Sequence, residues 1–528
     1  MQNYHKHTSY SNVLVTDCAA SYEEYVQRAV ELGQNVISSV EHGYQGNYYI
    51  PYELVQKYNN SLREKVISGD LTECEYNNKK LKFIFGAEAY WVKDRLAEYP
   101  KIDKKTGKEI SDEFVKDRTN CHIVLLAKNE EGRRDINEIL SIASIDGFYG
   151  QPRIDIDLLL KVNPNNIMVT TACLKYWKYD DIDEITEKLF NHFGDNFFLE
   201  VQYHNTDLQK KINRRILDLH NRLGIKLILG LDSHYIYPNQ YKERDNYLEA
   251  RGITYDEDEE GWYMDYPDES VARERLKAQN IWSDNLIDEM IANTDILLDF
   301  DDIILDKNIK LPKNYLFNGE WVGNKTQEWR DNTLKNLVYS KWNETKNTIS
   351  PERYKEYEDG IAYELNAIID TKMSDYFLID YELVRTGVCN GGIITKTGRG
   401  SGVSYYINSL LGFSNIDRFI SPVRLYPDRF ISKTRILKTK SLPDLDLNLG
   451  TPEIFADAQI KVMGDGHAYP MISYKPLQVS SAFKLYAKSQ GLDFEVSNEI
   501  TSQIKEYEKA LKHAEDDNRD SIDLYDFV

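Results

Sequence analysis

"DLQKKINRRILDLHNRLGIKLILGLDSH", residues 207–234, contains one complete unit of the fold. Its first part is an amphipathic helical pattern that stops at Gly224, a residue type that ends helices cheaply in the left-handed conformation. The second part is an apolar run of strand length that delivers Asp232 and His234 at its end. The arrangement recurs through the first 245 residues. "NVISSVEHG" ends in Glu41 and His42, "LKFIFGAEAY" carries Glu88, "CHIVLLAKNEEG" begins with His122, and "NIMVTTACL" ends near Cys173. Near the start, "NYHKHTSYS" supplies His5 and His7, and Ser21 with Glu24 forms a capping box opening "SYEEYVQRAVELG". Strands alternating with helices imply an α/β fold with a parallel sheet or barrel, in which functional groups gather where strands end.

Taken singly, each of these residues is most simply a packed or solvated side chain, and Cys173 a small core hydrophobe. The constellation points further. Imidazole, carboxylate and thiolate together suit zinc, manganese or iron, and carboxylates able to bridge allow several ions.

A length of 528 residues exceeds one core and predicts about three domains. No apolar run approaches a membrane span, and "MQNYHKHTSY" lacks a signal-peptide core. Five dispersed cysteines without a C-x-x-C pair exclude a disulfide framework and a zinc finger, which makes the cytoplasm the expected compartment. The net charge of −21 argues against nucleic acid as a whole, yet from Lys396 to Lys440 nine basic residues face only Asp417 and Asp428. Such a stripe inside an acidic chain predicts phosphate binding, or at its blandest a solvated face.

Within that stripe lies "GGIITKTGRGSGVSYYINSLLG", residues 391–412, with Gly398, Gly400 and Gly402 around Arg399 and Ser401. Glycines let backbone N–H groups approach an anion, and a following helix terminus favours negative charge. The spacing is not that of a Walker A loop. Downstream come "YPDRFISKTR" and then "SLPDLDLNLG", residues 441–450, where Asp444 and Asp446 alternate and so share one face of an extended strand. Alone, the pair is either a set of metal ligands or the polar face of an edge strand. With the loop and the stripe, it composes a nucleotidyl-transfer site in which two carboxylates hold two Mg²⁺ ions.

The first set of residues resembles the PHP (polymerase and histidinol phosphatase) family, which implies a distorted β/α barrel, a multinuclear metal site and phosphoester hydrolysis. By motif, His5 and His7 match the opening H-x-H, and His42 the histidine of T-D-H. Glu88, His122, Cys173, Asp232 and His234 match the later ligands. Asp17 stands for the acid after the first pair, at a longer spacing than usual, and Glu41 stands where the family has Asp. The second set, "GRGSG…YPDRF…SLPDLDLNL", resembles the palm of C-family bacterial replicative polymerases of the DNA polymerase III alpha type. That resemblance implies Asp444 and Asp446 as catalytic metal ligands and Arg399, Gly400, Ser401, Arg429 and Arg435 as nucleotide-binding residues. Asn448 occupies a position where palms often carry another acid. The uninterrupted run from Glu88 to His122 has no room for an inserted exonuclease domain.

The expected architecture is therefore a PHP barrel at 1–245, an incomplete α+β palm with a helical connector at 246–474, and a partial helical thumb with an acidic tail at 475–528. The implied activity is DNA-directed DNA polymerisation, with Mg²⁺ at the palm and zinc, manganese or iron at the PHP site, which would add 3′–5′ exonuclease proofreading. The implied partners are primer–template DNA and dNTPs, a second polypeptide carrying a third catalytic aspartate and the rest of the palm and fingers, and a sliding clamp through that part. No membrane is expected. The alternative is a freestanding PHP phosphoesterase with a non-catalytic partial palm.

Overall fold

The computed structural model describes residues 1–14, 17–102, 109–253, 261–308, 310–395, 398–439, 441–469, 471 and 477–516. It resolves into two compact units, Met1–Ile304 with Pro476–Val528, and Leu305–Lys475.

The first unit is built on strands β1 (Val36–Ser39), β2 (Lys82–Val92), β5 (Cys121–Ala127), β6 (Arg153–Asp155), β7 (Ile167–Thr170), β8 (Phe197–Val201) and β9 (Lys226–Leu229). They pair in the order β1-β2-β5-β7-β8-β9, with β6 added beside β2. Most of these strands are buried on both faces, as their near-continuous apolar sequences require. The sheet is mixed where the alternation of elements suggests parallel strands. β5 runs antiparallel to both β2 and β7. The physical reason is the connection: β2 passes to β5 through the antiparallel ribbon β3 (Glu98–Ile102) and β4 (Glu109–Lys116), not through the helical crossover a parallel neighbour needs.

The N-terminal segment spans the gap between the two ends of this sheet. Lys6 bridges Ser233 beyond β9, with His7 N–H on Ser233 O at 2.8 Å. On the other side, Gln2 Oε1 accepts the Asn35 and Val36 N–H groups, and Ser38 Oγ donates to Tyr4 O. The result is a distorted barrel. Its interior is filled by Tyr4 of the N-terminal segment with Val36, Ile84, Val124, Met168, Phe198 and Ile228 from successive strands. The helix Tyr22–Glu31 starts with the Ser21/Glu24 capping box, and Asp207–Leu223 ends at Gly224 with φ +72°, both as the sequence reads. Helices Val479–Ser489 and Phe494–Asp516 belong to this unit, the first meeting helix Tyr241–Arg251 through Gln490 and Asn246. The acidic tail 517–528 lies outside the described residues.

The second unit is mainly helical, with a core of Leu334, Trp342, Tyr357, Ile361, Phe377, Tyr405 and Phe430 among others. Its strands among the described residues are one hairpin, β10 (Leu316–Phe317) and β11 (Glu320–Trp321). Asn318 and Gly319, at φ +50° and +84°, form its turn, the N-G pair that suits a two-residue hairpin. The Pro-Asp-x-Asp segment is extended but not a full strand: its ladder is a single bridge, Ile394 with Leu449. Among the described residues no helix is long and apolar enough to cross a membrane.

Candidate metal centre and glycine loop

Parallel pairing brings His42, just past β1, beside Glu88 on β2. On β5, His122 faces Tyr90, and Tyr90 shares a sheet face with Glu88 because side chains repeat every second residue. Cys173 and Asp232 follow β7 and β9. The chain turns there through left-handed residues, Ala172 at φ +47° and Asp232 at +46°. Such conformations are unfavourable for side chains with a Cβ and persist where surrounding structure holds them.

The nine residues of the first unit that sequence proposes as metal ligands converge. Glu88 lies at their centre, 2.6 Å from His42 Nδ1, 2.8 Å from His122 Nδ1, and 3.5 and 3.6 Å from the Nε2 atoms of His5 and His7. Asp232 Oδ1 is 3.1 Å from His7 Nε2 and 3.4 Å from His5 Nε2. Cys173 Sγ is 3.4 Å from His122 Nδ1, and Asp17 Oδ2 is 3.5 Å from His234 Nε2. Donor atoms group as His5–His7–Asp232, His7–His42–Glu88, Glu88–His122–Cys173 and Asp17–Cys18–His42–His234, each within 4.8 Å.

The electrostatics follow from burial and crowding. Burial opposes ionisation of Glu88, yet His122 and His42 hold its carboxyl well below the usual range. Asp232 is depressed likewise by His5, His7 and His234. Burial and the neighbouring His42 push His7 down to about 3, and burial pushes His122 to about 4 despite Glu88. Burial would lower His5 too, but Glu200 and Asp232 raise it well above its ordinary value. Asp17 raises His234 in the same way. The Nε2 atoms of His42 and His122 are buried without a hydrogen-bond partner. Unpartnered imidazole nitrogens among depressed carboxylates and a thiol fit a cluster of divalent cations. A cavity of about 1070 Å³ adjoins it, lined by six of the ligands together with Trp177, Trp262, Tyr241, Lys175 and Lys178.

Sequence reasoning missed two participants, Glu200 and Cys18, and left the role of Glu41 open. Glu200, on β8, holds His5 Nδ1 at 2.6 Å and accepts from Tyr4 and Thr170, the carboxylate–histidine pairing that orients a metal ligand. Its signal is an acid inside the apolar run "NFFLEV". Cys18 lies beside Asp17, 3.2 Å from its carboxylate. Glu41 is a structural acid, bound by Thr8, Ser11 and Tyr22.

In the second unit, Gly400 has φ +67°, and a Cβ there would stand 1.8 Å from Asp446 Oδ2. Arg399 Nη2 is 3.5 Å from Asp446 Oδ1. Loop and carboxylate therefore meet. Ser401 O accepts from Ser404 Oγ at 2.6 Å, and Gly402 O from Asn408 Nδ2 at 2.7 Å, which fixes the turn. Tyr376 clasps the acidic segment, donating to Pro443 O at 2.8 Å and accepting from Leu445 N–H at 3.1 Å. Leu445 and Leu447 pack on the core, Asp444 is exposed and Asp446 half-buried. One turn beyond Tyr376, burial pushes the Asp380 carboxyl up to about 7.

Several expectations change here. The helix after the loop, Tyr406–Leu410, does not offer its terminus to a phosphate, because Glu364 accepts the Tyr406 and Ile407 N–H groups at 3.1 and 2.9 Å. The basic stripe is partly spent on structure. Arg418 pairs with buried Glu364 at 2.6 Å, and Lys433 with Asp370 at 2.9 Å. Arg429 is exposed on the turn Pro427–Arg429 and makes no ion pair among the described residues. Arg435 sits on the helix Lys433–Thr439, and its side chain lies outside the described residues, as do Lys396 and Lys440.

Comparison with known proteins matches both parts of the chain. Residues 3–204 match the PHP domain, and residues 332–526 match the bacterial DNA polymerase III alpha NTPase domain. The chain is 23% identical to the DNA polymerase III subunit alpha of Aquifex aeolicus over 545 residues, which cover 95% of this chain and 40% of the relative. It is 25% identical to the subunit alpha of Borreliella burgdorferi, covering 97% and 41%, and 25% identical to that of Chlamydia pneumoniae, covering 99% and 43%. The chain thus spans about two-fifths of the length of these curated relatives.

Proposed function

We propose that this chain, which carries a PHP domain followed by a bacterial DNA polymerase III alpha domain, is a component of a DNA-directed DNA polymerase. The observation that carries the reading is the meeting of Arg399, Gly400 and Asp446 at one place in the second unit. Asp444 and Asp446 would hold Mg²⁺, which supplies activation of a primer 3′-oxygen and support for the leaving oxygen. Gly400 and Ser401 would bring backbone to the phosphates of a dNTP. Arg399, Arg429 and Arg435 would neutralise them, and catalysis would come from positioning and electrostatics. Primer–template DNA is the second substrate. The rest of the carboxylate set, the fingers and a link to a sliding clamp would lie in the part of the relatives that this chain does not span, in a cytoplasmic setting.

The first unit supports a second activity, metal-dependent hydrolysis of a phosphodiester, in keeping with 3′–5′ exonuclease proofreading. The observation favouring it is the cavity beside the donors, whose tryptophans and lysines suit a nucleotide end: aromatic rings stack on bases and ammonium groups meet phosphates. Bound zinc, manganese or iron would supply an activated water at neutral pH. Glu200 would orient His5, and Lys175 would stand at the mouth to meet the phosphate.

Primer extension with Mg²⁺ and dNTPs tests the polymerase reading, using the chain alone and with a polypeptide carrying the rest of the palm. Extension abolished by Asp446→Asn is expected. Absence of extension and of primed-DNA binding under both conditions, beside a nuclease activity lost in His5→Ala, would replace it with the freestanding phosphoesterase.

A further inference from the structure

We propose that Cys18 is a metal ligand, making one end of the centre a four-donor site, Asp17–Cys18–His42–His234, for a thiolate-preferring divalent ion of the zinc class. The assignment rests on reading the first unit as a metal centre. One donor atom from each of the four buried residues lies within 4.8 Å of all the others. Cys18 Sγ is 3.2 Å from Asp17 Oδ1, and Asp17 Oδ2 is 3.5 Å from His234 Nε2. His42 provides an independent observation. Glu88 holds its Nδ1 at 2.6 Å, while its Nε2, 4.0 Å from Asp17 Oδ1, is buried with no hydrogen-bond partner. A polar atom so placed is costly unless something binds it, and a cation shared with Asp17 and Cys18 does so.

The local chain is built to hold this thiol in position. Asn12 Oδ1 accepts the N–H groups of Asp17 and Cys18 at 3.1 and 2.9 Å, and its Nδ2 donates to Cys18 O at 2.8 Å. Ala19 and Ala20 then donate to His234 O at 3.0 and 3.3 Å, tying the loop to the far ligand. Cys121 is equally buried, on β5, yet stands in none of the metal-ligating groups among the described residues. The cysteine beside Asp17 is therefore distinguished by its neighbours, not by burial.

Its consequence is a division of labour. When the ion binds, the Cys18 S–H bond breaks, the proton leaves to solvent and the sulfur donates its electron pair to the metal, with no change of oxidation state. Four protein donors fill a tetrahedral shell, the arrangement of a structural site. Glu88–His122–Cys173 offers three, which leaves a position for water or substrate. Within a centre whose donors suit zinc, manganese or iron, the Cys18 thiolate biases this end toward zinc and away from magnesium.

The full chain loaded with Co²⁺ tests this through its near-ultraviolet thiolate-to-metal absorption, and with Zn²⁺ through the sulfur shell in X-ray absorption. We expect Cys173→Ser and Cys18→Ser each to remove roughly half of the sulfur signal, since each removes one of two thiolates. The double variant should remove all of it, and Cys74→Ser and Cys389→Ser, at exposed cysteines, none. Sulfur persisting in Cys173→Ser suffices for the assignment even if Cys18→Ser does not fold. Loss of all sulfur signal in Cys173→Ser, with metal still bound, would overturn the role of Cys18 alone. A wild-type chain that binds no metal would overturn the metal reading together with it.

Discussion

The two centres differ in what holds them. Donors of the first come from several barrel strands, the turns beyond them and the N-terminal segment, are buried apart from half-buried Cys173, and touch one another through Glu88 and Asp232. Those of the second come from one loop and one extended segment. Arg399 is 63% and Asp446 34% exposed, and Tyr376 and a single bridge are the main ties. A site made by many strand ends is fixed by the fold itself, so damage there should spread into stability. A site on a loop is fixed by a few contacts, so damage there should stay in function.

The largest effect expected is that of Glu88→Gln. It leaves His42 and His122 beside a neutral amide in place of the anion 2.6 and 2.8 Å away, and a hydrogen bond to a charged group contributes about 1.5–3 kcal/mol each. Denaturant unfolding and metal analysis should report that loss together with at least one ion fewer. Unchanged stability would mean that the barrel does not depend on its ligands for cohesion, and the contrast between the centres would fail.

Gly400→Ala should act the other way round. A Cβ cannot occupy the place of Asp446 Oδ2, so loop and carboxylate must separate. Nucleotide incorporation should fall about 100-fold, equivalent to about 2.7 kcal/mol in the barrier, while the left-handed backbone at Gly400 lowers stability by about 1–2 kcal/mol. Comparable loss in both measurements would place the glycine in the core of the second unit instead of at its surface.

Tyr376→Phe is smaller still. It removes the phenolic oxygen that ties Pro443 O and Leu445 N–H, two hydrogen bonds worth about 1–2 kcal/mol together. The Mg²⁺ concentration needed for half-maximal incorporation should rise several-fold. A raised Mg²⁺ requirement with an unchanged melting temperature would sharpen the comparison, since the clasp would then serve the acids and not the fold.

How much could be read from the sequence follows the same division. The strand-end rule finds the first centre because apolar runs stop at the acid, histidine or cysteine that does the work, as at Asp232 and His234. It misses Glu200, whose run continues into "VQYH", and Cys18, which follows no strand and is positioned by Asn12. The mixed sheet is also hidden, because a β-ribbon replaces a helix between β2 and β5. In the second unit the loop and the Asp pair are legible as motifs. Long-range pairings that divert Arg418 and the Tyr406 N–H to Glu364 depend on contacts more than forty residues apart, beyond any local pattern.

Acid titration of chelator-treated protein gives the gentlest test. In the first unit, His7, His122 and His204 are pushed down to about 3, about 4 and about 4, chiefly by burial. Between those values and the ordinary imidazole value of about 6.5, the unfolded chain takes protons that the native chain refuses, so stability falls as pH falls. His5 and His234 are raised by carboxylate neighbours, against their burial, and their contribution is present below about 6.5 and lost as pH rises through their folded values. The first unit should therefore be most stable near pH 6.5, with a loss on the acid side and a shallower loss above, where burial of Lys6, pushed down to about 7, adds stability as pH rises. Asp380 in the second unit carries the opposite slope on the acid side. Burial raises it to about 7, so the native state holds a proton that the unfolded carboxyl has released, and its contribution grows as pH falls from 7 toward 4. Melting followed separately in the two units across pH 4–8 should show the first losing stability below 6.5 while the second does not, and Asp380→Asn should flatten only the second. Parallel slopes in both units would show that burial of titratable groups does not distinguish the two centres.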